Sequence, residues 1–117
     1  GQNPQVQALQ RGVDILVATP GRLEDLRQQG YIDLKAVEIF VLDEADRMFD
    51  MGFINAVRDI VKQIPTERQT LLFSATMSHA VRELAANVQR HPTMIEVGER
   101  RNPATSVTQH LIAVARD

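Results

Sequence analysis

The sequence predicts an α/β fold in which helices flank a parallel β-sheet. Four short apolar runs, typical of strands buried on both faces, lie at residues 13–18, 37–42, 69–73 and 93–97. Amphipathic helical patterns separate them, and this alternation is typical of strands joined by right-handed crossover helices. A chain of 117 residues has the length of one domain.

Helix start and stop signals fall between these runs. A cap followed by proline, at Asn3-Pro4 and at Thr19-Pro20, predicts helices that end near Gly12 and Gly30. Apolar residues at helical spacing predict a third helix, and a cap at Ser78 predicts a fourth. The apolar residues of the third helix are Phe53, Ala56, Val57, Ile60, Val61 and Ile64, and those of the fourth are Val81, Leu84, Ala85 and Val88.

Composition excludes several classes of protein. The chain has no cysteine, which excludes disulfides and thiolate metal sites and favours a reducing, cytoplasmic location. No apolar run approaches the ~18 residues of a membrane helix, and the first residues lack the layout of a signal peptide. A net charge of -2 provides no global attraction to nucleic acid, so a polyanion site must be local. The three histidines, His79, His91 and His110, do not have metal-ligand spacing.

Three of the four apolar runs end in polar clusters. In open parallel sheets, ligands bind outside the carboxyl ends of the strands, where loops and helix N-termini meet. We therefore expect these clusters to share one edge of the sheet. They are Thr19-Pro20-Gly21-Arg22, Asp43-Glu44-Ala45-Asp46 and Ser74-Ala75-Thr76.

Each cluster has a functional and a purely structural interpretation. Asp43 and Glu44 can hold the water shell of Mg²⁺ and orient an attacking water, or form a solvated loop before a helix. Ser74 and Thr76 can be turn residues, but if their strand lies beside the one ending at Leu42 they come within hydrogen-bond reach of Asp46. Residues 19–22 suit a backbone phosphate, or mark an ordinary helix start with proline at its first position.

In this order and at this spacing, the clusters resemble the DEAD-box family of ATP-dependent RNA helicases. Residues 19–22 are similar to the family's motif Ib, residues 43–46 to motif II (Walker B), and residues 74–76 to motif III. The flanking residues 14–18 and 47–53 are also similar, so the resemblance covers nearly the whole chain.

The resemblance implies a site that uses ATP and Mg²⁺. Asp43 would contact Mg²⁺ through water, and Glu44 would position or activate the attacking water. Asp46 would bond with Ser74 and Thr76 and so couple the state of ATP to RNA. Cofactor binding would involve Asp43, Asp46, Ser74 and Thr76, with Asp43 and Glu44 as the catalytic pair.

The resemblance also implies RNA as the partner and a partial RecA-like fold of the P-loop NTPase type. Residues 1–97 would form the C-terminal part of the first RecA-like domain, and residues 98–117 the linker and the start of the second, with a strand at 107–114. The residues implied to hold the RNA backbone are Thr19, Pro20, Gly21 and Arg22.

Several parts of the family pattern are not present. A phosphate-cradling loop needs Gly-x-x-x-x-Gly-Lys-Ser/Thr, and neither Lys35 nor Lys62 follows a glycine. The family's Q motif and motif Ia, and the arginine fingers of its second domain, are also missing. We therefore expect the isolated chain to be inactive or nearly so.

These departures have a consequence for the sheet. In the family, the Walker A strand separates the last two predicted strands, and the motif Ia strand separates the first two. Unpaired strand edges are unfavourable, so we expect the chain to pair its strands anew or to form a strand-exchanged homodimer.

Two rival functions remain open. The chain can be an RNA-binding or interaction module that keeps the surface at residues 19–22 and uses no nucleotide. It can also be a phosphoacceptor receiver domain, although that fold needs a lysine after its last strand, where this chain has Gly98-Glu99.

Overall fold

The computed structural model describes residues 4–98, which form five helices and two strands. This arrangement confirms the predicted α/β class. The elements in chain order are α1 (Pro4–Arg11), α2 (Pro20–Gln28), β1 (Ile39–Leu42), α3 (Ala45–Asp50), α4 (Ile54–Gln63), β2 (Gln69–Leu72) and α5 (His79–Val88).

The two strands pair in parallel. Ile39 lies opposite Gln69, and the register continues to Leu42 opposite Leu72. Backbone hydrogen bonds extend the pairing past the strand ends, because the Phe73 N–H donates to the Leu42 carbonyl at 2.9 Å and the Ala45 N–H donates to the Phe73 carbonyl at 3.0 Å. Both strands therefore leave the sheet at the same edge, side by side.

One face of this sheet packs on helices. Leu42 of β1 is buried, and Phe40 and Leu72 contact the same core. A second, smaller core lies between α4 and the segment that precedes β1. The buried residues of the first core are Leu42, Ala45, Val57, Val81, Leu84 and Val88, and those of the second are Leu34, Ile60 and Ile64.

The opposite face of the sheet is open to solvent. Ile39 is 60% exposed and Val41 is 52% exposed. The prediction of strands buried on both faces is therefore wrong for β1. Successive side chains of a strand point to opposite faces of the sheet. The side chains of β1 that point away from the helices have no covering layer within the described part of the chain.

Two of the four predicted strands are not formed. Residues 13–18 and 93–97 join no β-ladder within the described range, and Ile15, Val17 and Ile95 are 84%, 90% and 82% exposed. A strand forms only where a neighbouring strand pairs with its backbone N–H and C=O groups, and the ladder found among residues 4–98 joins β1 and β2 alone. The expected new pairing of strands is absent from the same residues.

Four helices lie where the sequence predicts them, and their ends follow the predicted signals. The Ser78 hydroxyl accepts a hydrogen bond from the Val81 N–H at 3.3 Å and so caps α5. Gly30, at φ +83°, ends α2 with the paired backbone bonds of a Schellman motif. The predicted cap at Asn3, the strand at 107–114 and the segment that follows residue 98 lie outside the described residues.

The short helix α3 is not predicted by the sequence patterns. Residues 51–53 connect it to α4, and Gly52 in this connection has a φ of +75°. The Phe53 N–H donates to the Met48 carbonyl at 2.8 Å and the Gly52 N–H to the Phe49 carbonyl at 3.1 Å, which again form a Schellman motif. None of the helices in residues 4–98 combines the length and the apolar character needed to cross a membrane.

Two glycine substitutions should have opposite effects on the free energy of unfolding. Gly52→Ala places a side chain in the left-handed region and should destabilise the fold by about 1 kcal/mol. Gly21→Ala lies in α2, where the nearest atom to a new methyl group is 3.9 Å away, and should stabilise it by about 0.5 kcal/mol. Urea denaturation measures both, and a loss of stability of equal size in the two variants would contradict this description of the α3–α4 junction.

Candidate nucleotide and RNA site

The acidic loop directly follows β1. One oxygen of the Asp43 carboxylate accepts a hydrogen bond from the Glu44 N–H at 2.8 Å. Glu44 adopts the left-handed conformation, with φ 55° and ψ 49°, and its carbonyl accepts from the N–H groups of Arg47 and Met48 as α3 begins. Left-handed backbone is rare for glutamate and occurs preferentially at functional sites, so the loop is held in an unusual shape that exposes both carboxylates.

Asp46 contacts the loop that follows β2. Its carboxylate oxygen Oδ2 accepts hydrogen bonds from the Thr76 hydroxyl at 2.9 Å and from the Thr76 N–H at 3.1 Å. The Asp46 N–H donates to the Ser74 hydroxyl at 3.2 Å, and that hydroxyl donates to the Thr76 carbonyl at 2.7 Å. The structure thus brings together three residues that the sequence predicts to lie within hydrogen-bond reach.

These contacts stabilise the ionised form of Asp46. The hydrogen bond from the Thr76 hydroxyl lowers the pKa of Asp46 most, and partial burial opposes it. The N–H groups of Arg47 and Thr76 and the Ser74 hydroxyl lower the pKa further. Asp46 therefore acts as a charged acceptor that joins the two loops at neutral pH.

An open depression of about 370 Å³ lies between the two loops. The carboxylate groups that line it suit Mg²⁺, which commonly keeps several waters and takes one or two carboxylates besides the phosphates of a nucleotide. Residues 4–98 contain no group of three His, Cys, Asp or Glu that could hold a metal ion. The lining residues are Asp43, Glu44, Asp46, Arg47, Phe73, Ser74 and Ala75.

Arg47 is a member of this site that the sequence patterns do not identify. Its N–H donates to Asp46 Oδ1 at 3.0 Å, and its Nε lies 3.6 Å from Glu44 Oε2. The signal available for it is the spacing of three residues from Glu44, which places both on one side of a helix. The spacing is informative only because the structure shows that a helix begins at Ala45.

Thr19 and Pro20 begin α2, as predicted. Thr19 has extended backbone at the cap position, Pro20 follows as the first helical residue, and the Thr19 carbonyl accepts from the Leu23 N–H at 3.0 Å. Within residues 4–98 the Thr19 side chain makes no capping hydrogen bond and is exposed, so its hydroxyl faces solvent. Gly21 lies near Phe53, the residue directly before α4.

Arg22 has partners on its own side of the fold. Its Nε donates to Gln5 Oε1 at 2.9 Å, and its Nη1 donates to Asp25 Oδ2 at 2.8 Å. In the described range, no hydrogen bond or ion pair joins residues 19–22 to either loop of the depression. The structure therefore unites two of the three predicted clusters by direct contact, and the third remains separate.

Removing the Thr76 hydroxyl should raise the pKa of Asp46 toward the ordinary aspartate value. Because the pKa in the folded state is lowered, the bond stabilises the fold above the ordinary value of about 4, and this contribution is lost as the pH falls through the lowered pKa. Thr76→Val should therefore be less stable than the parent at pH 7, with a difference that shrinks in acid. NMR titration of the Asp46 carboxyl carbon and urea denaturation measure the two effects.

Thr66→Val provides the matched control, because it makes the same chemical change at an exposed threonine away from the site. It should leave the titration of Asp46 unaltered. An Asp46 titration in Thr76→Val that coincides with that of the parent would contradict the assignment.

The chain matches known proteins over most of its length. A family model described as DEAD/DEAH box helicase matches residues 1–84. DEAD-box ATP-dependent RNA helicase 14 of Arabidopsis thaliana is 47% identical over 116 residues, which cover 97% of this chain and 19% of that protein. ATP-dependent RNA helicase RhlB of Pseudomonas putida is 52% identical over 114 residues, which cover 95% of this chain and 29% of that protein.

A solved structure agrees with the sequence matches. The hypothetical ATP-dependent RNA helicase from Sulfolobus tokodaii has a TM-score of 0.67 and 42% identity, covering 78% of this chain and 28% of the other. This similarity confirms the predicted partial RecA-like fold. The chain spans less than a third of the length of these proteins. The match over residues 1–84 and the close relatives establish that the chain belongs to the DEAD/DEAH box helicase family.

Proposed function

We propose that the chain carries the hydrolysis loop and an RNA-backbone contact of an ATP-dependent RNA helicase. One observation carries the proposal. Asp46 is hydrogen-bonded to Ser74 and Thr76, which lie 28 and 30 residues further along the chain. A carboxylate that links the end of one strand to the end of its neighbour is suited to transmitting a change at one loop to the other.

In this proposal Asp43 and Glu44 have different roles. Bound Mg²⁺ would neutralise charge that develops on the phosphates. Asp43 would hold waters of the Mg²⁺ shell with the carboxylate oxygen that does not accept from the Glu44 N–H. Glu44, whose exposed side chain lines the depression, would orient a water for in-line attack on the terminal phosphate and accept its proton as the bond to the departing diphosphate breaks. Arg47, 3.6 Å from the Glu44 carboxylate, limits its orientations.

Coupling to RNA is assigned to Asp46 and to the start of α2. Displacement of the loop at residues 74–76 breaks up to three hydrogen bonds to Asp46 and frees α3 to shift. At the other surface, the exposed Thr19 hydroxyl, the helix N-terminus and Arg22 together suit a backbone phosphate. Asp25 neutralises Arg22 at 2.8 Å, so phosphate binding there requires Arg22 to exchange one anion for another.

The isolated chain is proposed to be catalytically inactive. Its sequence contains no Gly-x-x-x-x-Gly-Lys-Ser/Thr loop, so the triphosphate has no cradle in these residues. The relatives named as ATP-dependent RNA helicases are more than three times as long as the matched region. Turnover is therefore assigned to a longer protein, with ATP and Mg²⁺ as its cofactors and a cytoplasmic location favoured by the absence of cysteine.

A second candidate is an RNA-binding module that needs no nucleotide. The exposed Thr19 hydroxyl and the partly exposed Arg22 at the start of α2 favour it, because both are built independently of the depression between the loops. The two candidates differ in whether ATP alters RNA binding.

We further propose that two copies of the chain exchange strands. This proposal is supported by two apolar segments, residues 13–18 and 93–97, that join no β-ladder among residues 4–98, and by strands β1 and β2, each of which has one edge outside any ladder in the same range. A strand edge that one copy leaves outside a ladder can pair with the other copy.

RNA binding and ATPase activity of the 117-residue chain test the proposed function together. Arg22→Ala should weaken binding to single-stranded RNA and reduce the slope of log K against log[salt] by about 1, because one phosphate contact is lost. ATP hydrolysis should stay at background with or without RNA. RNA-stimulated turnover that Glu44→Gln abolishes would overturn the proposed inactivity.

Arg82→Ala is the matched control for RNA binding. It removes the same charge from an exposed position on α5 and should leave both affinity and salt slope unchanged. Equal weakening by the two substitutions would show that only overall charge matters. Because the isolated chain has no triphosphate cradle, the effect of ATP is measured in the longer protein, where RNA binding that depends on Arg22 but not on ATP would favour the nucleotide-independent module.

Light scattering tests strand exchange. The expected mass is twice 13.1 kDa at micromolar concentrations. Val41→Lys, which places a charge on the exposed face of β1, should reduce the dimer fraction, whereas Lys62→Ala at the end of α4 should not. A monomeric mass at every concentration would contradict the proposal.

A further inference from the structure

The loop that carries Ser74 and Thr76 connects β2 to α5. Both elements run away from the loop, and their far ends meet again at Arg68, directly before β2. We call the residues that meet there, Arg68 with Pro65, Thr70, Val88 and Gln89, the Arg68 cluster. The Arg68 cluster therefore joins β2 to α5 at the end opposite the loop that contacts Asp46.

Each nitrogen of the Arg68 guanidinium has a different partner. Nε donates to the Thr70 hydroxyl at 2.9 Å, and Nη1 donates to the Pro65 carbonyl at 2.9 Å. Nη2 donates to the Val88 carbonyl at 2.8 Å. One side chain thereby joins the segment after α4, the start of β2 and the end of α5.

Arginine is suited to this task. Its planar, always charged fork has five fixed donors and can serve three acceptors in different directions, and lysine cannot do so with one point charge. The Val88 carbonyl is also one of the unsatisfied acceptors at the C-terminus of α5, where a cation is favourable. The Gln89 side chain adds a bond from Nε2 to the Thr70 carbonyl at 3.1 Å.

The loop between β2 and α5 is also held at both of its ends. Phe73 at the end of β2 donates to the Leu42 carbonyl, and Ser78 caps α5. Four residues lie between these fixed points, among them Ser74 and Thr76. The direction in which α5 leaves the loop therefore constrains where the hydroxyls sit relative to Asp46.

We propose that Arg68 is a positioning residue that aligns Ser74 and Thr76 with Asp46 by holding the far end of α5 against β2. Without the bond to Val88, α5 is free to tilt about its capped start at Ser78, and the loop shifts with it. That the alignment serves coupling between ATP and RNA rests on the proposed function. The alignment itself is a property of this chain alone.

Amide hydrogen exchange on the chain tests the proposal. The Thr76 N–H donates to Asp46 and the Asp46 N–H donates to Ser74, so both report the alignment directly. In Arg68→Ala, exchange of these two amides should rise by at least about tenfold, the effect of losing charge-assisted hydrogen bonds. Exchange of the Leu23 and Val57 amides, in α2 and α4, should rise much less.

Two further variants complete the design. Arg82→Ala, an exposed arginine on α5 itself, should leave all four amides unchanged. Arg68→Lys keeps the charge but cannot span three acceptors, and it should raise the exchange of Thr76 and Asp46 selectively. It provides the decisive comparison if Arg68→Ala does not fold.

A uniform rise at all four amides in Arg68→Lys would overturn the proposal, since Arg68 would then only stabilise the fold as a whole. Unchanged exchange at Thr76 and Asp46 would overturn it equally. Neither result depends on ATP or RNA. A failure of the proposed function would leave the exchange pattern intact, and the two outcomes are distinguishable.

Discussion

The in-register parallel pairing of β1 with β2 is the constraint on which the site depends. It brings the end of each strand to the same edge, and the bonds from Phe73 to Leu42 and from Ala45 to Phe73 carry the alignment into both loops. In a parallel sheet this alignment cannot be made locally, because the paired strands are separated in the chain by two helices. The helices α3 and α4 and the core beneath the sheet therefore serve to place two polar loops side by side.

Asp46 links the two aligned loops by hydrogen bonds. Its carboxylate accepts from the Thr76 hydroxyl and two N–H groups, which lowers its pKa and keeps it charged at neutral pH. Asp43 and Glu44, three and two residues earlier, remain exposed in the depression between the loops. One carboxylate of the acidic loop, that of Asp46, thus links the two loops, and the other two are exposed to solvent. These separate tasks account for three carboxylates within four residues after one strand.

The sequence predicts the parts of the fold that local signals determine. Caps, glycines and apolar spacing locate four helices, and the convergence of parallel strands predicts the contact between Asp46 and residues 74–76. The apolar runs at 13–18 and 93–97 have the composition of strands, but a strand exists only in a ladder, and among the described residues neither run joins one. The sequence patterns do not predict α3, because its six residues follow an acidic loop with no cap signal, and for the same reason they do not identify Arg47. The pairing of Arg22 with Asp25 follows from helical spacing, whereas its bond to Gln5 depends on how α1 packs against α2.

The central claim is that Asp46 and Thr76 interact specifically across the two loops, and a double-mutant cycle tests it most directly. The free energy of unfolding is measured at pH 7 for the parent, Asp46→Ala, Thr76→Val and the double variant. We expect the effects of the two single substitutions to be non-additive, with the double variant less destabilised than their sum, and this coupling to disappear in acid, where Asp46 is protonated. Strictly additive effects at pH 7 would contradict the account.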